Sequence, residues 1–459
     1  MELSDEQSNA YTQFLEGKNI FITGPGGTGK SMLIRKMVDH MNMRNMKYQV
    51  CAMTGCAAVL LKCKARTLHS WTGIGLANGT MRKVIDKALS NKYACKNWKN
   101  TQVLIVDEIS MMSKKLFDII ESIARLVRNQ RHLPFGGLQI IFCGDFYQLP
   151  PVGNESEPET MQFCFESERW DTVFPKENVI ELKKIFRQED EEYQKILNEV
   201  RVGEISDESY EKLCTCVGRE IPKEIESVPV KMYPTRAQVD YVNRIMYEKL
   251  DEEEQIYECE IDTNFTTYID SGKLIEMEVM NCMQKIPNEI IENEVRNLMN
   301  NVHIIKELKL KIGTKVMCVQ NLDIDGGICN GSCGVIIRFE NRIEDNGKTE
   351  KKRYPLVRYQ NGRERLMVGE KVQSEEMPRV VCSQIPLIKS WAVTIHKMQG
   401  SSIEKSELEL GNRIFEYGQI YVGISRVKSM NGLYIVDLNR DKIKSNEKVK
   451  EYYVKIGVI

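Results

Sequence analysis

Short apolar runs recur through the first part of the chain, at residues 18–23 (KNIFIT), 49–54 (QVCAMT), 103–106 (VLIV) and 139–143 (QIIFC). None alternates polar with apolar. Such runs predict strands buried on both faces, as in a parallel sheet covered by helices. Between them, residues 31–41 and 114–128 repeat apolar side chains at helical spacing. Strands alternating with helices imply an α/β domain with helices on both faces of its sheet. The pattern restarts near residues 177–186, with a strand at 230–234 (VKMYP), a helix at 238–249 and a solvated acidic turn at 251–254. Residues 258–301 are polar and carry one predicted helix, near 289–300. From 313 to 384 the elements become short and β-rich. Predicted strands at 315–320, 333–339, 354–359 and 365–368 are separated by Asp325-Gly326-Gly327, Asn330-Gly331 and Asn346-Gly347. That combination predicts a small twisted β-barrel. The α/β style returns at 385–388, so the β unit reads as an insertion in a second α/β domain.

Length and charge narrow the picture. A chain of 459 residues should divide into two or more domains. Its formal net charge is -1, so there is no global basic field, and any nucleic-acid surface must come from a local separation of charge. No secretory leader or membrane-length apolar run is visible, so a soluble intracellular protein with no membrane partner is expected, in no particular compartment. The 14 cysteines include Cys51, Cys56 and Cys63, then Cys214 and Cys216, then Cys329 and Cys333. They form no paired C-x-x-C units, which points to reduced thiols rather than a metal cage.

The strongest chemistry lies at Gly24-Pro25-Gly26-Gly27-Thr28-Gly29-Lys30-Ser31. This spacing fits a phosphate-binding loop, and it stands where that loop must stand, after a strand and before a helix. Glycines let backbone N–H groups turn in around phosphate oxygens, and the helix N-terminus adds its dipole. Lys30 would meet the β and γ phosphates, and the Ser31 hydroxyl would meet Mg²⁺. At the end of the 103–106 strand, Asp107 would hold the metal shell and Glu108 would polarise water; the alternative is two exposed turn carboxylates. Residues 144–151 (GDFYQLPP) follow another apolar strand and so reach the same sheet edge, where Gln148 could donate to a γ-phosphate. Alone they would be only a proline-rich turn.

Taken in order, GPGGTGKS, TGCAAVLL, TLHSWTGIG, VDEISMM, FCGDFYQLPPV, LKKIFRQ, WAVTIHKMQGSSI and YVGISRVKS resemble the motif series of superfamily 1B helicases of the Pif1 type. Residues 107–137 are similar to that family's signature segment. The resemblance implies two RecA-like P-loop domains, a small wedge insertion and an SH3-like β-barrel insertion. The implied boundaries are 1–180 for domain 1A with the 1B wedge at about 67–99, 181–255 and 385–459 for domain 2A, and 256–384 for domain 2B. It implies ATP and Mg²⁺ as cofactors, with single-stranded and 5′-tailed duplex DNA as partners. The implied activity is ATP-dependent 5′–3′ unwinding in DNA replication, repair or recombination. Replication or repair proteins are further expected partners, and the chain is expected to be monomeric. It begins near the glutamine motif and ends soon after the last one, so a bare motor core is expected.

The resemblance also assigns residues. Gln7 matches an adenine-reading glutamine. Gly24, Gly26, Gly27, Thr28, Gly29, Lys30, Ser31 and Gly400 match phosphate contacts. Lys30, Asp107, Glu108, Gln148, Arg187 and Arg426 match the catalytic set, the two arginines as fingers from the second domain; a lone arginine would otherwise read as a surface ion pair. On the DNA side it implies Thr54, Gly55, His69, Trp71, Phe146, Thr235, Arg236, Thr394, His396, Lys397 and Gln399. Trp71 has a core placement as its alternative reading, and Arg236 departs from the asparagine common in the family. The basic cluster Lys348, Lys351, Lys352 and Arg353 reads as a solvated hairpin tip or a DNA contact. Two other readings remain open: a translocase or RecD-like subunit of a larger assembly, and a nucleotide-gated DNA-binding switch.

Overall fold

The computed structural model describes residues 3–458, apart from 62, 64, 76, 222–228, 264–285, 302–303, 321, 324–325, 327, 329–331, 344–348, 360, 375–376 and 378. Most of the predicted glycine turns of the β-rich region, Cys329 and Lys348 therefore lie outside the described residues. The chain divides into two compact units, Met1–Val239 with Val393–Ile459, and Asp240–Ala392.

The first unit opens with α1 (Asp5–Leu15), whose Ser4 cap and Gln7 form a reciprocal capping box. Then come β1 (Ile20–Thr23), α2 (Lys30–Met43), β2 (Tyr48–Ala52), α3 (Gly55–Leu60), β3 (Arg66–Thr67) and α4 (Leu68–Thr72). Two helices that the sequence pattern left unread, α5 (Met81–Ser90) and α6 (Lys92–Asn100), fill the expected wedge segment. They are followed by β4 (Val103–Asp107), α7 (Lys114–Val127), β5 (Gln139–Cys143), α8 (Trp170–Val173) and β6 (Val179–Glu181). The six strands form one sheet in the order β3-β2-β4-β5-β1-β6, parallel at every recorded pairing.

Successive residues of these strands face opposite sides, and each side has its own core. Phe21, Leu104, Val106, Ile140 and Phe142 pack with α7, while Ile20, Ile22, Val50, Ile105 and Ile141 pack with α1 and α2. Burial on both faces is why the strands read as unbroken apolar runs. The chain continues through α9 (Glu191–Val202), α10 (Asp207–Cys214), β7 (Val230–Tyr233) and α11 (Arg236–Glu248), which carries it into the second unit.

The second unit is mainly antiparallel. It contains β8 (Gln255–Glu258), β9 (Glu260–Asp262), α12 (Asn288–Asn301), β10 (Glu307–Leu310), β11 (Lys315–Cys318), β12 (Cys333–Ile343), β13 (Thr349–Tyr359), β14 (Glu364–Leu366), β15 (Glu370–Gln373), β16 (Val381–Gln384) and β17 (Leu387–Lys389). These make a five-stranded sheet ordered β14-β13-β12-β11-β17, a three-stranded sheet β15-β16-β9 and the pair β10-β8. Tyr257, Leu308, Val316, Ile336 and Val357 share its main apolar core.

The chain re-enters the first unit through β18 (Ala392–Thr394). It then forms β19 (Ser406–Leu410), α13 (Gln419–Ser425), β20 (Leu433–Leu438) and α14 (Glu447–Ile456). A second sheet, β18-β7-β19-β20, joins residues before and after the intervening unit. The last helix returns to the first core, where Val449, Tyr452, Tyr453 and Ile456 pack with Phe21 and Phe146. No helix among the described residues is long and apolar enough to cross a membrane.

Candidate functional site

The glycine loop leaves β1 in a conformation that only glycine accepts. Gly24 has φ +133°, and a Cβ there would stand 2.2 Å from the Leu182 carbonyl oxygen. Gly27 has φ +91°, and its Cβ would meet Arg187 Cβ at 2.6 Å. Both positions thus need the missing side chain twice over, for φ and for close approach. Lys30 begins α2 and folds back on the loop, where Nζ donates to the Gly24 and Pro25 carbonyls at 2.6 and 2.9 Å. Burial lowers its pKa, against the pull of Asp145, Glu108 and Asp107. Ser31 follows it on α2, and Thr28 is buried, its hydroxyl donating to Pro25 O.

Asp107 ends β4 and accepts the Glu108 N–H at 2.9 Å. Burial, then the Glu108 charge, raises its pKa. Glu108 itself sits at φ +56°, a left-handed conformation that costs a carboxylate residue about 1 kcal/mol or more. Strained carboxylates of this kind persist where the surroundings over-determine them. Here one constraint is Gln399, whose Nε2 donates to Glu108 Oε2 at 3.0 Å and to Ser110 Oγ at 3.2 Å. Gln399 is 2% exposed, so its expected DNA contact is corrected: its amide belongs to the phosphate end of the molecule. Gly400 follows it at φ +81°.

Arg187 and Arg426 come from beyond the first sheet and face the same loop. An atom on Gly26 at the Cβ position would lie 3.4 Å from Arg426 Nη2, 3.5 Å from Arg187 Nη1 and 3.6 Å from the Tyr421 hydroxyl. Arg426 is 1% exposed and donates to Val422 O and Ser425 Oγ; Arg187 donates to Ser425 O at 3.0 Å. Burial lowers the pKa of both, that of Arg187 to about 10 with the Arg426 charge adding to the effect. Neither guanidinium forms an ion pair among the described residues. Two such cations held side by side favour an anion between them. Two acceptors nearby await a donor such as water, since Gln148 Oε1 and Gln399 Oε1 are buried with no partner among the described residues. Buried polar atoms are normally bonded, so these fit a site completed by ligand or water. A glycine cradle, a lysine, two arginines, two carboxylates and a hydroxyl together suit a polyphosphate with a divalent cation.

Gln7 is buried, with both amide ends engaged: Nε2 donates to Thr28 O at 3.1 Å and Oε1 accepts the Ser4 N–H at 3.1 Å. It braces the loop beside Gly29, next to the half-exposed Phe186 ring. Sequence reasoning missed Phe186, Tyr421 and the ion pair of Asp145 with Arg201. That pair is buried and two-pronged, at 2.9 Å on both bonds, with the guanidinium over the Tyr147 ring. Tyr453 of α14 joins it, since its hydroxyl lies 3.4 Å from Asp145 Oδ1; the same hydroxyl bonds Thr23 Oγ1 and accepts the Phe146 N–H. The tyrosine in YVGISR could have been found from its place in the same helix as Arg426; nothing local marks Arg201.

The residues expected to meet DNA divide into two sets. Trp71 is 2% exposed and packs on Trp98 with ring centroids 4.5 Å apart, so it is core. Phe146 is equally buried, among Phe21, Phe163, Phe165 and Trp170. Base contact is corrected for both rings, because neither face reaches the surface. His69 is half-buried on α4, and burial lowers its pKa. Thr54 accepts the Ala57 N–H and caps the turn into α3, which starts at Gly55. Thr394 caps the turn holding His396 and Lys397 by accepting the Lys397 N–H. His396 lies in stacked orientation against the exposed Phe415, with Arg236 near enough to lower its pKa further. Arg236 is exposed, and Thr235 donates to Gln238. Thr235, Arg236, His396 and Phe415 thus gather around one surface. In the second unit Arg353 donates to Phe339 O, and Lys352 lies over the Tyr257 ring.

Known proteins resemble this chain over most of its length. The family profile described as PIF1-like helicase matches residues 2–211, and that of the DNA helicase Pif1 2B domain matches residues 296–339. ATP-dependent DNA helicase RRM3 of Saccharomyces cerevisiae is 31% identical over 96% of this chain and 66% of its own length. Human ATP-dependent DNA helicase PIF1 is 31% identical over 98% of this chain and 63% of its own. The chain thus spans a little under two thirds of these curated relatives. A Bacteroides Pif1 bound to ssDNA has a like fold, with a TM-score of 0.71 at 24% identity over 99% of this chain and 97% of that one. The crystal structure of Pif1 helicase from Candida albicans superposes with a TM-score of 0.81 at 32% identity, covering 100% of this chain and 99% of that one. With that identity over nearly the whole of both chains, this chain belongs to the Pif1 helicase family.

Proposed function

We propose that the chain is an ATP-dependent DNA helicase that moves 5′ to 3′ on single-stranded DNA and separates duplex ahead of it. The observation that carries this reading is the convergence of Arg187 and Arg426 on Gly26, in the loop that Lys30 also bonds. A binding switch needs the glycine loop; it does not need two guanidiniums held beside it. In this reading Lys30 and the loop N–H groups bind ATP, and Gln7 and Phe186 border the base. Ser31 and Asp107 would hold Mg²⁺, which supplies charge neutralisation between the phosphates. Glu108 takes a proton from water. Gln148, Arg187 and Arg426 steady charge on the transferring phosphoryl group.

Domains 1A (1–180, with a wedge at about 67–99), 2A (181–255 and 385–459) and an SH3-like 2B (256–384) are the division we adopt. The antiparallel sheets of the second unit support it. The Thr235, Arg236, His396 and Phe415 surface, with Thr54 and Lys397, would hold the single strand through phosphate contacts and base stacking. The test is unwinding of 5′-tailed against 3′-tailed duplex, with ATPase measured with and without single strands. Unwinding only with the 5′ tail supports the reading. DNA-stimulated ATPase with no unwinding of either would leave a translocase or a subunit of a larger assembly. Lys30→Ala should abolish hydrolysis, and Glu108→Gln should bind ATP without turning it over.

A further inference from the structure

The Gly26 N–H already has a partner, and that partner comes from α13. Gly26 donates to the Tyr421 hydroxyl at 2.8 Å, across 395 positions of sequence. Tyr421 is 2% exposed. Its oxygen accepts, but among the described residues its own O–H proton meets no acceptor. A buried donor without an acceptor is costly. Arg426 Nη2, Arg187 Nη1 and the Tyr421 hydroxyl lie 3.4, 3.5 and 3.6 Å from the single point occupied by a Cβ on Gly26. That point is bonded to the Gly26 Cα and is no ligand site itself; it shows that three side-chain donors border one face of Gly26, beside the phosphate-binding loop.

We propose that Tyr421 reads the third phosphate of the nucleotide: its hydroxyl accepts the Gly26 N–H with or without a γ-phosphate, and donates to a γ-phosphate oxygen when one is present. This rests on the ATPase reading above. A hydroxyl accepts and donates at once, so triphosphate binding keeps the Gly26 bond and adds a bond from the unpartnered O–H to an anion, roughly twice as strong as a neutral one. A diphosphate supplies no such oxygen. Tyr421 lies five positions before Arg426 on and just after α13, so the hydroxyl and the guanidinium respond to the same phosphate as one element.

The test compares affinities for ADP and for a non-hydrolysable ATP analogue, by fluorescence titration, in the wild type and in Tyr421→Phe. The variant keeps the ring and loses only the oxygen. Triphosphate affinity should fall by roughly tenfold, while ADP affinity stays within about twofold, and melting curves should show the fold retained. A preference for triphosphate over diphosphate that is the same in both proteins overturns the proposal. A wild type that binds neither nucleotide overturns the ATPase reading and this proposal with it. A second measurement needs no loss of oxygen: 3-fluorotyrosine placed at position 421 should shift its fluorine resonance with the ATP analogue and not with ADP. A resonance that moves equally with both overturns the proposal.

Discussion

Gln399→Leu separates two accounts of one residue. The change keeps the approximate volume of a side chain that is 2% exposed and removes its amide. Two bonds are lost, to Glu108 Oε2 at 3.0 Å and to Ser110 Oγ at 3.2 Å. The first is a bond to a charged group, worth ~1.5–3 kcal/mol. Glu108 also holds a left-handed backbone at φ +56°, so a carboxylate freed from its donor can swing away from the water it must activate. If the whole bond serves to position the base, kcat should fall by about 10- to 150-fold at ~1.4 kcal/mol per tenfold. The assay is steady-state ATP hydrolysis saturated with single-stranded DNA, beside DNA affinity measured by anisotropy. The geometry predicts a fall in kcat with DNA affinity within about twofold of wild type. A DNA contact predicts the reverse, with weakened affinity and kcat preserved at saturating DNA. That second outcome would refute the placement of Gln399 beside the base.

Three further perturbations follow from the packing. Asp145→Asn leaves Arg201 buried without its counter-charge and should cost ~3–5 kcal/mol, seen as a lower thermal midpoint; an unchanged midpoint would show that the pair is not buried as described. Phe146→Ala opens a cavity among at least four aromatic rings and should cost ~3–5 kcal/mol, with poor recovery of folded protein; a variant as stable as wild type but weak in DNA binding would restore the surface role. Phe415→Ala removes the exposed ring that faces His396 and should weaken binding to single strands by ~1–3 kcal/mol; equal anisotropy curves for variant and wild type would remove that ring from the DNA face.

What could be read from sequence is whatever is contiguous. The loop from Gly24 to Ser31 was legible because its chemistry is its own backbone shape, set by glycines within a single turn. The buried strands were legible within a few residues, since a strand covered on both faces must be apolar throughout: residues 139–143 were predicted as a strand and β5 spans Gln139–Cys143. The wedge helices α5 and α6 were not, although Val84, Ile85, Ala88 and Leu89 of α5 stand at helical spacing; each helix is short, and so few turns do not stand out from the polar residues around them. Nor could the letter for an aromatic residue say which way it faces. Phe146 sits in an irregular turn and Trp71 in the five-residue α4, neither long enough to show a period, and burial in the core reads the same as exposure to a base. The distant pairs were decided by tertiary structure alone. Gln399 meets Glu108 across 291 positions, Tyr421 meets Gly26 across 395, and Arg201 meets Asp145 across 56. Hydrogen bonds and ion pairs depend on distances of about 3 Å, and a chain brings such groups together only by folding.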